Sequence, residues 1–425
     1  MHRRLTSAFS ASTAAVLAGA LLVTAPAATA NPVTDLLVDS GVTMREPEAP
    51  AQPIWSGLDA YSLNATDESG ELLSFTTLDS SVSLDSADRQ YRYAYSTTNQ
   101  HGESVVATSA VFLPSGEMPE GGYPVLAWAH GTVGTNDACT PSANPRGARD
   151  TEYLNHWLDE GYAIVAADYA GMGAPGTHSY LNGSVAAENV VDSVVASHSL
   201  LNDALSPSWA VIGQSQGGGT ALHVAHEASA LSQEAGLDYL GAVATGTPAY
   251  IEEIVNVSGP SFPPMPLTPY LNAYLVYIVA GVQEARPDLD IDSVLTDEGR
   301  RMIELSETSC LTEVAESLDG TNISRMFSAP LMSVVGLPEA LGGYMATPTG
   351  GYDKPVFLGH GLLDQDVPSP IGVALNSEIW ARQFLADNGG GNSSVEVHWY
   401  PTDHSDTVME SVPDSTPFLE DLFNQ

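Results

Sequence analysis

The segment around Ser215 constrains the fold of this chain more than any other. An apolar run at residues 209–212 leads into a G-x-S-x-G turn at 213–217, and residues 219–226 follow with helical character. A strand, this turn and a helix form a unit in which only small residues fit beside the serine. Such a turn holds the serine hydroxyl out of the sheet, where another side chain can reach it. The alternative is a plain glycine–serine loop between a strand and a helix.

Residues 1–30 have the three parts of a secretory signal peptide. Arg3 and Arg4 give a basic start, residues 14–23 are apolar, and an A-x-A cleavage pattern stands at 28–30. The apolar stretch is too short for a membrane anchor, and no later segment has eighteen unbroken apolar residues. We therefore expect a secreted, extracellular protein without stable membrane insertion.

The charge balance of the chain is strongly acidic. It contains 52 acidic and 13 basic residues, for a net charge of −39. Such a surface repels nucleic acid and anionic lipids, so neither is an expected partner. It is typical of a solvated coat that gives solubility or salt tolerance. No D-x-D-x-D-G loop and no zinc-type spacing of Cys and His occurs, so we expect no metal and no cofactor. We also expect the protein to be a monomer.

Cys139 and Cys310 are the only cysteines of the chain. Two distant cysteines in an exported protein most often form one disulfide. The sequence therefore predicts a Cys139–Cys310 bond.

Residues 71–249 and 353–425 have the pattern of one α/β core, preceded by an extended lead-in at 31–70. The core begins with β-type alternation and continues with apolar runs that alternate with helical segments. Strands buried on both faces and separated by helices indicate a mostly parallel sheet with helices on both sides. The predicted strands are 72–77, 90–97, 104–112, 123–129, 162–168, 209–213, 240–244, 355–359 and 394–400.

Residues 250–352 lie between two predicted strands and do not continue the alternation of strands and helices. They are rich in proline at first and then helical by pattern, at 271–283, 297–308 and 312–318. We expect a helical cap over Ser215, with Leu275 and Ile278 lining an apolar site. Further apolar volume for such a site is expected from Met326, Phe327, Leu331 and Met332. The alternative is an ordinary helical subdomain with its own small core.

A serine at such a turn is a weak nucleophile unless a histidine accepts its proton and a carboxylate orients that histidine. In α/β chains with this turn, the order is serine, acid, histidine. The acid is expected just after the strand 355–359, where H-G-x-x-D-x-x-V-P presents Asp364. Asp366 is the competing acid in the same loop.

The histidine is expected after the last strand, 394–400. His404 is the sole histidine in the loop that follows. A negatively charged intermediate on the serine would need backbone N–H donors already in place. Gln216 supplies one as the residue after the serine, and the loop at 130–132 supplies another from Thr132.

Several motifs together resemble the secretory lipase family of α/β hydrolases. They are residues 129–134, 139–142, 168–173 and 215–218 with the Asp364 loop, and the resemblance covers roughly residues 85–410. Gln214 departs from the family, which usually has an aromatic residue before the serine. The resemblance implies the α/β-hydrolase fold and a carboxylic ester hydrolase that acts on acylglycerols or other small or lipid esters.

Two other functions remain open. An acyltransferase would use the same three residues with an alcohol in place of water as the acceptor. An inactive hydrolase fold could serve as a binding protein, although such relatives usually lose one of the residues that correspond to Ser215, Asp364 and His404.

Overall fold

The computed structural model describes residues 50–263, 267–386 and 394–424. The predicted signal peptide and the first part of the lead-in lie outside these residues. The described part of the lead-in contains one short 3₁₀ helix, Ala60–Ser62, which Asp59 caps by accepting from the backbone N–H of Tyr61.

The described residues form one sheet of nine strands, in the order β1-β2-β3-β5-β4-β6-β7-β8-β9. The first three strands and the β3–β5 pair are antiparallel, whereas β5, β4, β6, β7, β8 and β9 run parallel. The predicted mostly parallel α/β fold is confirmed. The strands are β1 (Leu72–Thr77), β2 (Ala87–Thr98), β3 (Ser104–Pro114), β4 (Tyr123–Ala129), β5 (Ala163–Ala167), β6 (Leu205–Gln214), β7 (Asp238–Thr245), β8 (Val356–Gly361) and β9 (Val395–Tyr400).

The helices of the described residues lie on both faces of this sheet and in the segment between β7 and β8. They are α1 (Ala148–Asp159), α2 (Gly183–Leu201), α3 (Gln216–Glu234), α4 (Ile251–Asn256), α5 (Pro269–Ala285), α6 (Asp297–Thr308), α7 (Leu311–Ser317), α8 (Leu337–Met345), α9 (Ser369–Ala386), α10 (Thr407–Glu410) and α11 (Val412–Phe423). Further short 3₁₀ helices occur at Ser80–Val82, Asp137–Cys139, Pro141–Ala143, Asn202–Ala204, Ile291–Val294, Ile323–Met326 and Leu331–Ser333.

Strand β6 shows why the sequences of the central strands are unbroken apolar runs. Trp209 and Val211 pack into the apolar cluster on one face of the sheet. Ala210 and Ile212 pack into the cluster on the other face. Because helices cover both faces, every residue of this run is buried, which is the expected pattern for a central parallel strand.

The helices between β7 and β8, which we call the cap helices (α4 to α8), have an apolar cluster of their own. Helix α5 is central to it, with Val276, Tyr277 and Val279 all buried. Thr268 caps this helix by accepting from the backbone N–H of Leu271. The pattern predicted α5, α6 and α7, but it did not predict α4 or α8.

A disulfide joins Cys139 to Cys310, as the sequence predicts. It links the loop after β4 to the start of α7. The backbone N–H of Leu311 also donates to the carbonyl of Val133 at 2.9 Å, so the cap helices and that loop are tied by two kinds of bond. Within the described residues, no helix is both long and apolar enough to span a membrane.

Candidate active site

Ser215 lies at the sharp turn between β6 and α3. Its backbone has φ 59° and ψ −122°, a conformation that L-residues rarely adopt. The backbone N–H of Ser215 donates to the carbonyl of Thr245 at 2.9 Å, which fixes the turn against the end of β7. The residue is 8% exposed and borders a cavity. The strained turn therefore holds the hydroxyl at the carboxyl end of the parallel strands.

This turn requires glycine at two positions, because neighbouring backbone segments lie too close to leave room for a side chain there. A Cβ atom on Gly217 would lie 1.8 Å from the carbonyl oxygen of Ala129. A Cβ on Gly213 would lie 2.1 Å from the carbonyl oxygen of Gly217. Neither contact is sterically possible, so the G-x-S-x-G pattern reflects packing of the turn against β4 as well as its curvature.

Asp364 lies in the loop after β8, and its carboxylate is held from two sides. Oδ1 accepts from the backbone N–H groups of Asp366 at 3.0 Å and Val367 at 2.8 Å. Oδ2 faces Nδ1 of His404 at 2.7 Å. The loop thus fixes one oxygen by backbone donors and leaves the other for the imidazole.

His404 follows β9 and is 8% exposed. With Nδ1 donating to Asp364, its Nε2 is the basic nitrogen of the ring. Nε2 is buried and has no hydrogen-bond partner among the residues that the structure describes. The ring packs against Gly246, because a Cβ at that position would lie 3.0 Å from His404 Cε1. Gly246 directly follows Thr245, whose carbonyl accepts from the backbone N–H of Ser215. The structure thereby brings His404 beside the Ser215 turn.

Asp366 has a different environment from Asp364. Its backbone supports the Asp364 carboxylate, and its side chain borders the same cavity as Ser215. Burial raises the pKa of Asp366 above the usual range for an aspartate. Of the two acids in this loop, Asp364 is the one whose carboxylate is hydrogen-bonded to His404.

The predicted N–H donors are Gln216, which directly follows Ser215, and Thr132, which directly follows Gly131, where a Cβ would lie 3.5 Å from the Ser215 Cβ. Gln216 is the first residue of α3, where helix N–H groups have no partner within the helix. Thr132 is placed by a 2.8 Å hydrogen bond between its Oγ1 and the Tyr180 hydroxyl. The side chain of Gln216 is held by His178 at 3.0 Å, and burial lowers the pKa of His178 to about 3. A neutral His178 can accept from the Gln216 amide.

The Asp168 motif has a structural explanation in the network behind the Thr132 loop. Asp168 is fully buried and accepts from the backbone N–H of Ser142 at 2.8 Å and from Thr108 Oγ1 at 2.7 Å. Ser142 Oγ in turn accepts from Arg92 Nε at 2.8 Å. The buried Arg92 guanidinium lies over the ring of Trp55. This network anchors the segment that carries Cys139.

The cavity at Ser215 is almost wholly apolar. Cap helices α4 and α5 form much of its wall, and Leu275 and Ile278 are among the lining residues, as the sequence predicts. The other lining residues include Tyr180, Leu181, Pro248, Ile251, Ile254, Val255, Phe262, Leu267, Leu271, Tyr274, Val367 and Ile371. The contributions of Ile251 and Ile254 were missed because α4 is too short to show a period.

Four residues expected to add volume to this cavity lie elsewhere. Met326, Phe327 and Leu331 are buried in the cap's own apolar cluster. Met332 is 57% exposed on the surface. That expectation was wrong because an apolar residue in a helical insertion can fill either the core of the insertion or the wall of a site. The cap helices do both, through different residues.

Within the described ranges, no group of three or more His, Cys, Asp or Glu side chains is arranged to hold a metal ion. The sheet order and the strand–turn–helix at Ser215 are those of the α/β-hydrolase fold. A sequence model described as "Secretory lipase" matches residues 147–333, so the resemblance to that family is confirmed. No curated protein sequence matches the chain.

Solved structures with a similar fold include two ester hydrolases. Lipase A of Candida antarctica in its closed state has a TM-score of 0.68 at 20% identity, over 84% of this chain and 83% of that chain. The rice cell wall degrading esterase LipA of Xanthomonas oryzae has a TM-score of 0.63 at 20% identity, over 84% of this chain and 99% of that chain. At these identities the likeness establishes the fold.

Proposed function

We propose that this chain is a secreted carboxylic ester hydrolase of the lipase and esterase type, working through an acyl-enzyme on Ser215. The observation that carries the proposal is the Asp364–His404 hydrogen bond of 2.7 Å, which leaves Nε2 of His404 basic and, among the described residues, without a partner beside the Ser215 turn. An imidazole in that state can accept a serine proton. The secretory lipase match and the lipase and esterase neighbours support the same chemistry.

Acylation follows from these positions. Ser215 Oγ attacks the ester carbonyl as His404 Nε2 takes its proton, and the Asp364 carboxylate stabilises the imidazolium. The new oxyanion accepts from the backbone N–H groups of Gln216 and Thr132. When the intermediate collapses, His404 returns the proton to the departing alkoxide, which leaves as an alcohol. Ser215 then carries the acyl group.

Deacylation repeats the sequence with water. His404 Nε2 removes a proton from the water molecule that attacks the acyl carbonyl. The second oxyanion uses the same two N–H donors, and its collapse returns the proton to Ser215 Oγ. A carboxylic acid is released and the free serine is restored.

The cavity supports esters with an apolar acyl part. Leu275 and Ile278 of the cap and Val367 of the Asp364 loop present side chains to the space beside Ser215. Burying a methylene group in such a wall contributes about 0.8 kcal/mol. An acyl chain therefore gains binding energy with length until it fills the cavity, which favours lipid esters over acetate.

Turnover of p-nitrophenyl esters from acetate to palmitate tests this function. We expect hydrolysis that depends on Ser215, compared between the native protein and Ser215→Ala. Adding an alcohol acceptor separates hydrolysis from acyl transfer, since a transferase would form the new ester at the expense of free acid. A chain that binds the esters without turnover would contradict the proposal.

The N-terminus of the secreted protein, expected at Asn31, tests the predicted signal peptide.

A further inference from the structure

Gln214, the residue before the serine, takes no direct part in the proposed reaction, but its side chain contacts the loops that carry His404 and Thr132. It ends β6 and is 1% exposed. Its side-chain Nε2 donates to the backbone carbonyl of His404 at 3.2 Å. The residue that immediately precedes Ser215 is therefore bonded to the backbone of the histidine expected to activate it.

The same side chain also reaches the loop after β4. Its Oε1 lies 2.9 Å from where a Cβ on Gly131 would stand, and Gly131 adjoins Thr132. Its Nε2 lies 3.6 Å from the corresponding point on Gly246, against which the His404 ring packs. The absence of side chains at these two glycines leaves the space that the amide fills. One buried amide thus contacts the loops of the base and of the oxyanion donor.

We propose that Gln214 is a positioning residue that fixes the backbone of His404 relative to Ser215 and the Thr132 loop. The inference rests on the proposed function, because it assigns a role only if Ser215 and His404 react together. An amide suits this place because the His404 carbonyl needs a donor, and a buried carbonyl without one costs free energy.

Gln214→Met tests the hydrogen bond at nearly constant length. We expect kcat to fall roughly 10- to 100-fold on short esters with KM little changed, since misplacement of about 1 Å in a catalytic group costs this much. The matched control is Gln383→Met on α9, which also removes a buried amide that donates to a backbone carbonyl, that of Tyr352 at 3.3 Å. The control is expected to keep kcat within about twofold.

Gln214→Glu adds a signature that a purely structural role would not give. An ionised carboxylate cannot donate to the His404 carbonyl, whereas a protonated one can. We expect the variant to lose kcat as pH rises, in a range where the native enzyme holds its rate, with circular dichroism unchanged. The titratable groups on the surrounding loops and at the end of β8 are the same in both proteins; they are His130, His360, Asp364, Asp366, Asp403, His404 and Asp406.

The outcomes separate this inference from the function on which it rests. Inactive Ser215→Ala together with Gln214→Met at native kcat would overturn the positioning role alone. Full activity in Ser215→Ala would overturn the proposed function itself. A Gln214→Met enzyme with raised KM and native kcat would also overturn the inference, because it would make Gln214 a substrate-binding residue.

Discussion

His404 Nδ1 and Asp364 Oδ2 lie 2.7 Å apart, although the two residues are 40 positions apart in the chain. The other carboxylate oxygen is fixed by two backbone N–H groups, so the loop determines which way the acid faces. This arrangement holds the imidazole with its proton on Nδ1 and its lone pair on Nε2. Asp364→Asn would present an amide N–H to Nδ1 and reverse that tautomer.

We therefore expect Asp364→Asn to lower kcat on the order of 10³- to 10⁴-fold with the fold preserved. The matched control is Asp366→Asn, two residues away in the same loop. Its carboxylate borders the cavity while the backbone supports Asp364, so we expect a loss of less than about tenfold. If Asp366→Asn is the more damaging change, the acid has been misassigned.

Bulky residues at Leu275 or Ile278 should shorten the preferred acyl chain. Both line the Ser215 cavity from helix α5, so Leu275→Trp and Ile278→Trp fill space that a long chain would occupy. We expect kcat/KM to fall at least about tenfold on palmitate esters and to change little on acetate. Met332→Trp, on the exposed surface of the cap segment, serves as the control. An unchanged chain-length profile in both α5 variants would place the acyl group elsewhere and favour a short-chain esterase.

The Cys139–Cys310 bond closes a loop of 171 residues and joins the cap segment to the loop after β4. Removing both sulfurs by alanine substitution is expected to lower the free energy of unfolding by about 3–5 kcal/mol, measured by urea titration. The Leu311–Val133 hydrogen bond can remain, so folding is expected to survive at low temperature. Two free thiols in the unfolded, unreduced native chain would contradict the bond.

Asp192 on α2 is expected to make the native fold less stable as pH rises. Burial raises its pKa to about 7, so the folded chain holds this proton more tightly than the unfolded chain does. The resulting stabilisation is complete below about pH 4, the usual aspartate range, and is lost as pH rises to about 7.

Asp192→Asn should remove that dependence, because an amide oxygen can still accept from Thr97 as the carboxylate does. We expect the variant to match the native protein at pH 4 and to be more stable at pH 8, by at most about 4 kcal/mol. Asp238→Asn, at the exposed start of β7, is the control. Equal stability differences at both pH values would show that burial does not raise the pKa of Asp192.

The sequence predicts the strands and the class of fold because both depend on local patterns. Each observed strand overlaps a predicted one, since runs such as β6 are buried on both faces and therefore apolar throughout. Helix α4 was not predicted because six residues are too few to establish a period. The contact of Gln214 with His404 joins residues 190 positions apart, and no spacing rule could indicate it.

The candidate site was assigned from local patterns of the same kind. Ser215, Asp364 and His404 follow from their places after particular strands, and the structure brings Asp364 and His404 into contact. The distinction between wall and core residues of the cap was not predictable. Leu275 and Met326 are both apolar and both buried, and only the packing decides which of them borders the cavity.

Covalent labelling of the native enzyme with a small organophosphate tests the central claim most directly. An activated serine attacks the phosphorus and keeps the adduct, whereas an unactivated serine does not. We predict one adduct per chain, located on Ser215 by mass spectrometry of the digested protein, with complete loss of esterase activity. His404→Ala should label at a rate at least about 10³-fold lower. Esterase activity that survives without an adduct on Ser215, or an adduct on another serine, would contradict the account.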